Sequence, residues 1–121
     1  MTVEGDGPFT FSSKQLHFHA PSEHTVEGEH FDLEMHIVHT LGVNESYGHK
    51  LAVLGVFFRI GEPNVFIDSI VTEKYTIDLG LLFETETIEN YYTYWGSLTT
   101  PPCTEAVNWF IWEEVQEISE E

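Results

Sequence analysis

The chain has 121 residues, of which 21 are acidic and 4 are basic, and its formal net charge is −17. A chain of this length typically forms one domain around a single hydrophobic core. Because so negative a surface repels phosphate groups and anionic lipids, we expect no binding to nucleic acid and none to membrane surfaces. The sequence contains no apolar stretch long enough for a membrane-spanning helix, and residues 1–5 do not resemble the start of a secretion signal.

Alternation of apolar and polar residues, interrupted by turn residues, predicts a domain made mainly of antiparallel strands. The first strands are predicted over residues 15–20 and 31–40, with a loop over 42–48. Residues 51–60 form an apolar run that is typical of a strand buried on both faces. The remaining predicted elements are, in chain order, a brief strand over 65–71, a short helical turn over 78–83, strands over 90–95 and 106–112, and a frayed acidic tail over 113–121. We therefore predict one domain over residues 1–121, with residues 1–14 as a leader segment.

Three histidines stand where two neighbouring strands would bring them together. His17 and His19 are two residues apart on a predicted strand, so their imidazoles leave the same face, which Gln15 shares. In the next strand Glu34 and His36 lie on one face with Asp32 and Val38, opposite an apolar face of Phe31, Leu33, Met35 and Ile37. If the two strands pair with the polar faces aligned, the imidazoles converge. Three imidazoles with an open fourth position are typical of a catalytic zinc site, and Gln15 and Glu34 would then fix the ring tautomers.

A structural role for these histidines stays open on spacing alone, since a His-x-His pair on a strand is most often structural. The other four histidines are predicted to have no metal-ligand role. His24 and His39 are expected to be structural hydrogen-bonding residues, and His30 and His49 are expected to lie in loops.

A cupin metal site is the competing interpretation, because it also uses His-x-His followed by a glutamate, as in His17, His19 and Glu23. The cupin motif requires glycines where Phe11 and His30 stand, and a later histidine that this sequence does not contain. The cupin interpretation is therefore disfavoured.

Four segments, taken in order, resemble the motifs of the α-class carbonic anhydrases. Residues 15–25 read Gln-Leu-His-Phe-His-Ala-Pro-Ser-Glu-His-Thr and are similar to the family's zinc-binding strand, in the form found in bacterial, algal and plant members. Residues 34–39, Glu-Met-His-Ile-Val-His, resemble the segment that carries the third ligand. The other two segments are residues 51–55, similar to the buried strand beside the pocket, and Tyr94 with residues 96–105, similar to the substrate loop, with Trp109 at the family spacing.

The resemblance implies a mainly β fold with a central, twisted, mostly antiparallel sheet, incomplete at both termini. It also implies a zinc enzyme that reversibly hydrates carbon dioxide to bicarbonate and a proton. Zinc would be held by His17, His19 and His36 and would supply hydroxide at neutral pH. Thr99 would accept a hydrogen bond from that hydroxide and donate its own proton to Glu23. The residues implied around the ligands are Gln15, Glu34 and His24, and those implied for the substrate pocket are Val38, Val53, Leu98, Thr100, Val107 and Trp109.

The resemblance also implies that parts of the family pattern lie outside this sequence. Residues 1–14 contain no histidine that would match the family's proton shuttle. Cys103 is the single cysteine and stands where secreted members carry one that pairs with an upstream cysteine, which favours a secreted, periplasmic or organelle-lumenal parent. We therefore expect association with a second copy or with other chains that complete the sheet. The alternative function is a weakly active or inactive carbonic-anhydrase-like binding module that retains zinc.

Overall fold

The computed structural model describes residues 2–4, 8–41, 51–72, 77–82 and 90–120. The loop predicted over 42–48, His49 and the end of the helical turn at Phe83 lie outside the described residues. The strands are β1 (Thr2–Glu4), β2 (Pro8–His19), β3 (Thr25–Val26), β4 (Glu29–His30), β5 (Leu33–Leu41), β6 (Leu51–Ile60), β7 (Tyr91–Gly96), β8 (Val107–Trp112) and β9 (Gln116–Ile118). One α-helix, α1 (Val65–Thr72), and a 3₁₀ turn (Leu79–Leu81) complete the described elements.

The main sheet has the order β1-β2-β5-β6-β8-β7, with β9 also paired to β6. The pairs β2/β5, β5/β6 and β7/β8 are antiparallel, which confirms the predicted mainly antiparallel sheet. The sheet is nevertheless mixed, because β6 pairs in parallel with β8 and then, further along the same strand, with β9. The strand predicted over 51–60 is observed with the same bounds.

The core lies on both faces of β6, as its apolar run predicts. On one face Leu54, Val56 and Phe58 join a cluster that includes Phe66 of α1. On the other face Val53 and Phe57 join a cluster with residues of β8, namely Val107, Trp109 and Ile111. This second cluster lies on the same face of the sheet as His36, because His36 pairs with Gly55, which stands between Val53 and Phe57 on that face.

The segment 65–71 forms helix α1, so the brief strand predicted there is wrong. Asn64 caps the helix, since its Oδ1 accepts the backbone N–H groups of Phe66 at 3.0 Å and Ile67 at 3.3 Å. Phe66 is buried, and Ile67 and Ile70 pack against the same cluster. Apolar residues at this spacing bury one helical face, so capping and packing outweigh the strand preference of the β-branched residues.

Three other expectations need correction. Part of the tail predicted to be frayed forms β9, which pairs with the end of β6 from Phe58 to Ile60. Strand β2 begins at Pro8, well before residue 15, where the first strand was predicted to begin. Phe31 was predicted to share the apolar face of Met35. Instead it packs on Phe57, with ring centroids 4.4 Å apart, and so joins the core cluster on the other face of the sheet. Because β5 starts only at Leu33, the alternation of a strand does not extend back to Phe31.

A tight hairpin of β3 and β4 follows the end of β2. Its central residues, Glu27 and Gly28, have φ angles of 51° and 79°, as a type I′ turn requires. This hairpin returns the chain from β2 to the start of β5. No helix in the described parts of the chain is both long and apolar enough to cross a membrane.

Candidate metal centre

The register of β2 and β5 brings the three predicted histidines together. His17 lies directly opposite His36 in the antiparallel pair, so both imidazoles leave the same face, and His19 lies two residues along β2. The ring centroids are 5.0 Å apart for His17 and His19, 5.2 Å for His17 and His36, and 4.7 Å for His19 and His36. One ring nitrogen from each residue lies within 4.8 Å of the other two. This spacing allows all three nitrogens to bind one metal ion.

Two of the imidazoles have a hydrogen-bonding partner that would fix the tautomer. His17 Nδ1 lies 3.2 Å from Gln15 Oε1, and His36 Nε2 lies 2.5 Å from Glu34 Oε2. Because both acceptors are oxygens without a proton, each ring nitrogen donates to them. The other nitrogen, Nε2 of His17 and Nδ1 of His36, then carries a lone pair.

His19 presents an orphaned nitrogen to the same point. Its Nε2 is buried and makes no hydrogen bond, although Glu23 Oε1 lies 3.1 Å away. The two atoms are close enough to attract each other but lack the alignment that a hydrogen bond requires. The same Glu23 oxygen lies 3.8 Å from His36 Nδ1. A buried nitrogen without a hydrogen bond, facing two other imidazoles, fits a metal ligand.

Glu34 is a buried hydrogen-bond acceptor of the site, with 0% of its surface exposed. Besides His36, it accepts the backbone N–H of His24 at 2.8 Å and Nδ1–H of His24 at 2.6 Å. Burial alone would raise the pKa of this carboxyl, but these hydrogen bonds lower its pKa to about 2. Glu34 is therefore ionised, which holds the proton on Nε2 of His36.

His17 is held in the neutral form that a metal ligand needs. Its pKa is lowered first by burial and then by the neighbouring imidazoles of His36 and His19. The attraction of Glu23 acts in the opposite direction but does not outweigh them.

Tyr94 extends this network, and the sequence motif gave it no role. Its Oη lies 2.6 Å from His24 Nε2. The pKa of Tyr94 is raised by burial and by the charges of Glu34 and Glu23, so the phenol keeps its proton and donates it to His24. Its ring is nearly parallel to that of Trp109, whose Nε1–H donates to the carbonyl of Ser97 at 3.1 Å. The signal in the sequence was the position of Tyr94 just ahead of the substrate-loop motif.

The three histidines line a cavity of about 510 Å³. Thr99 and most of the predicted pocket residues line it with them, namely Val38, Val53, Leu98, Thr100 and Trp109. Val107 is fully buried in the cluster beneath and is not part of the cavity wall. Among the hydrogen bonds of the described residues, none joins Thr99 to Glu23, so the predicted gate stays a prediction.

The remaining histidines differ in how well the sequence predicted them. His39 Nδ1 donates to the carbonyl of Ile37 at 2.9 Å, and burial lowers its pKa, in agreement with the predicted structural role. His24 is likewise a hydrogen-bonding residue. His30 was expected in a loop but lies in β4, where its Nδ1 donates to the carbonyl of Ser22 at 2.5 Å. Sequence spacing gave no indication of Ser22, which is buried at the centre of these contacts.

Comparison with known proteins agrees with the geometry of this site. Residues 1–121 match the family model of the eukaryotic-type carbonic anhydrases. Alpha carbonic anhydrase 6 of Arabidopsis thaliana is 44% identical over 112 residues, which are 84% of this chain and 40% of that protein. The α-carbonic anhydrase of Thermovibrio ammonificans in complex with the inhibitor sulfanilamide has a TM-score of 0.77 and 40% identity, over 91% of this chain and 50% of that one. A dioscorin complexed with ascorbate has a TM-score of 0.72 and 32% identity, over 91% of this chain and 48% of that one. The chain spans at most about half the length of these relatives, and it belongs to the α-carbonic anhydrase family.

Proposed function

We propose that this chain carries the zinc site of a carbonic anhydrase, which reversibly hydrates carbon dioxide to bicarbonate and a proton. The observation that supports this most is the convergence of three ring nitrogens within 4.8 Å of one another at the wall of a cavity. Zinc fits this donor set because it accepts three imidazoles and keeps a fourth position for water or substrate. When bound, zinc lowers the pKa of a coordinated water and so supplies the nucleophile at neutral pH.

The residues around the ligands keep them ready for the metal. Gln15 holds the ring of His17, and ionised Glu34 holds that of His36, so each presents a lone pair without rearrangement. Because all three ligands are neutral, they leave the full charge of the cation to act on the reacting groups. This arrangement favours catalysis over a closed structural site, which has four protein ligands.

The cavity wall gives each remaining residue a role toward the substrate. The apolar side chains of Val38, Val53 and Leu98 bind carbon dioxide, which has no charge to satisfy. Thr99 Oγ1 accepts a hydrogen bond from the nucleophile and donates its own proton to Glu23, which fixes the direction of the attacking lone pair. This gate requires the Glu23 carboxylate to turn from His19 toward Thr99. Thr100 contacts the bicarbonate product.

Metal content and hydration rate, measured on the same sample, test the proposal. We expect one zinc per chain and a hydration rate that disappears after chelation and returns with added zinc. A chain that binds one zinc but hydrates carbon dioxide no faster than the chelated sample would contradict the enzymatic proposal.

A binding module that retains zinc is the second candidate, and the dioscorin relative with bound ascorbate favours it. The presence of all three histidines with Glu23 and Thr99 favours the enzyme. Ascorbate titration of the zinc-loaded chain separates the two candidates. Saturable binding together with negligible hydration would support the binding module.

A further inference from the structure

Ser22 is buried, with 1% of its surface exposed, and makes four hydrogen bonds through its hydroxyl and its backbone. Its Oγ donates to the carbonyl of His24 at 2.7 Å and accepts the N–H of Phe31 at 2.8 Å. Its own N–H donates to the carbonyl of Phe31 at 3.0 Å, and its carbonyl accepts from His30 Nδ1 at 2.5 Å. Three of these hydrogen bonds fasten the turn after β2 to His30, at the end of the β3–β4 hairpin, and to Phe31, and the fourth lies within the turn.

The two residues after Ser22 both contact the histidine site. Glu23 places a carboxylate oxygen 3.1 Å from His19 Nε2 and 3.8 Å from His36 Nδ1. His24 donates both its backbone N–H and its ring N–H to Glu34. The carbonyl that accepts the Ser22 hydroxyl belongs to this same His24, so the position of the serine and that of the His24 ring are coupled through one residue.

We propose that Ser22 is a positioning residue for the metal centre, which sets Glu23 and His24 against the ligands through its hydroxyl. The hydroxyl is needed because one atom both donates to His24 and accepts from Phe31, which a methyl group cannot do. Alanine would leave the carbonyl of His24 and the N–H of Phe31, both partly buried, without these partners. The turn would then shift to reach water, and His24 would move away from Glu34. The effect on zinc rests on the zinc binding included in the proposed function, but not on the hydration of carbon dioxide, and the effect on His24 rests on neither.

The variants Ser22→Ala and Ser69→Ala form a matched pair for the test. Ser69 Oγ donates to the carbonyl of Phe66, also at 2.7 Å, but lies in α1 and makes no described contact with the histidines. The first readout is the downfield proton NMR signal of the His24 ring N–H in the metal-free chain, assigned by its loss in His24→Asn. The second is the dissociation constant for zinc, measured by competition with a chelator.

We expect Ser22→Ala to shift or broaden the His24 signal and to weaken zinc binding about tenfold or more, the usual effect of losing a group that orients metal ligands. Ser69→Ala should leave the signal in place and the zinc affinity within twofold of wild type. Should Ser22→Ala fail to fold, Ser22→Cys replaces the hydroxyl with a somewhat larger thiol, which weakens both hydrogen bonds, and is expected to give the same two changes.

Two results would overturn the inference. One is a folded Ser22 variant that keeps the His24 signal and binds zinc within twofold of wild type. The other is an equal loss of zinc affinity in Ser69→Ala, which would assign the effect to general stability. A wild-type chain that binds zinc without hydrating carbon dioxide would defeat the proposed function and leave both readouts for Ser22 unaffected.

Discussion

Gly55 stands where the sheet has no room for a side chain, next to the proposed metal site. It pairs with His36 on β5 and with Ile111 on β8. A Cβ at this position would lie 2.8 Å from Ile111 Cδ1 and 3.3 Å from Glu34 Oε2. We therefore predict that Gly55→Ala weakens both the fold and zinc binding, through two separate contacts.

The size of each effect follows from what the added carbon meets. Ile111 Cδ1 is the end of a flexible side chain, but Ile111 is buried in a packed cluster, so its displacement should cost about 1–3 kcal/mol of unfolding free energy. Glu34 Oε2 is held by His24 at 2.6 Å and by His36 at 2.5 Å, and it has little freedom to yield. Movement of Glu34 by a few tenths of an ångström disturbs the partner of His36, for which a roughly 10- to 100-fold loss of zinc affinity is expected.

The double variant Gly55→Ala with Ile111→Val separates the two contacts, because valine lacks Cδ1. Urea unfolding of the metal-free chain measures stability, and competition with a chelator measures zinc affinity, with Ile111→Val alone as the control. We expect the double variant to recover most of the stability but little of the zinc affinity. Recovery of both the stability and the zinc affinity would show that the contact with Glu34 is harmless. A Gly55→Ala variant with the stability and zinc affinity of wild type would refute the steric reasoning altogether.

Four further predictions address the metal, the gate and the charge. His36→Ala should lose stoichiometric zinc in elemental analysis, whereas His39→Ala, on the same strand but outside the cluster, should retain it; full zinc in His36→Ala would make the ligand set wrong. Thr99→Ala should lower the hydration rate about a hundredfold with zinc still bound, and loss of the metal would instead indicate a structural role. Zinc at about 100 times its dissociation constant should stabilise the native chain by about 2.7 kcal/mol and raise its melting temperature by roughly 10 °C. A melting temperature that does not change when a chelator is added would argue against the site. Because the net charge of −17 repels bicarbonate but not carbon dioxide, raising the ionic strength from about 0.01 to 0.15 M should lower KM for bicarbonate alone; equal changes for both substrates would contradict this.

The histidine cluster could be predicted from sequence because its geometry depends on short-range rules. Alternation along a strand sets the faces of His17, His19 and His36, and the pairing of neighbouring strands aligns those faces. Gln15 and Glu34 followed from the same rule. The cavity wall depends on strands far apart in the chain, and there the family motifs supplied what periodicity could not.

The elements that were mispredicted depend on contacts that no local pattern reveals. Helix α1 is decided by the burial of Phe66 in the neighbouring core together with the cap at Asn64, and the local cap alone did not distinguish a helix start from a turn. Strand β9 pairs in parallel with a strand more than fifty residues upstream, and its sequence, Gln-Glu-Ile, carries little strand signal. Ser22 was missed for a related reason, since a serine between proline and glutamate is an ordinary turn residue until its partners are known.

In the proposed metal site the three histidines are neutral, and the carboxylates of Glu23 and Glu34 lie next to them and not among the proposed ligands. Glu34 is buried and ionised in a chain with only 4 basic residues, and N–H groups of His24 and His36 stabilise it instead of a cation. Arg59, which pairs with Glu117 at the far end of β6, does not contribute. If carboxylates were ligands of the proposed zinc, they would offset the charge that the proposed reaction needs to acidify water. Glu34 lies behind His36 and Glu23 lies beside His19, so both would favour the proposed cation and leave its charge available for chemistry.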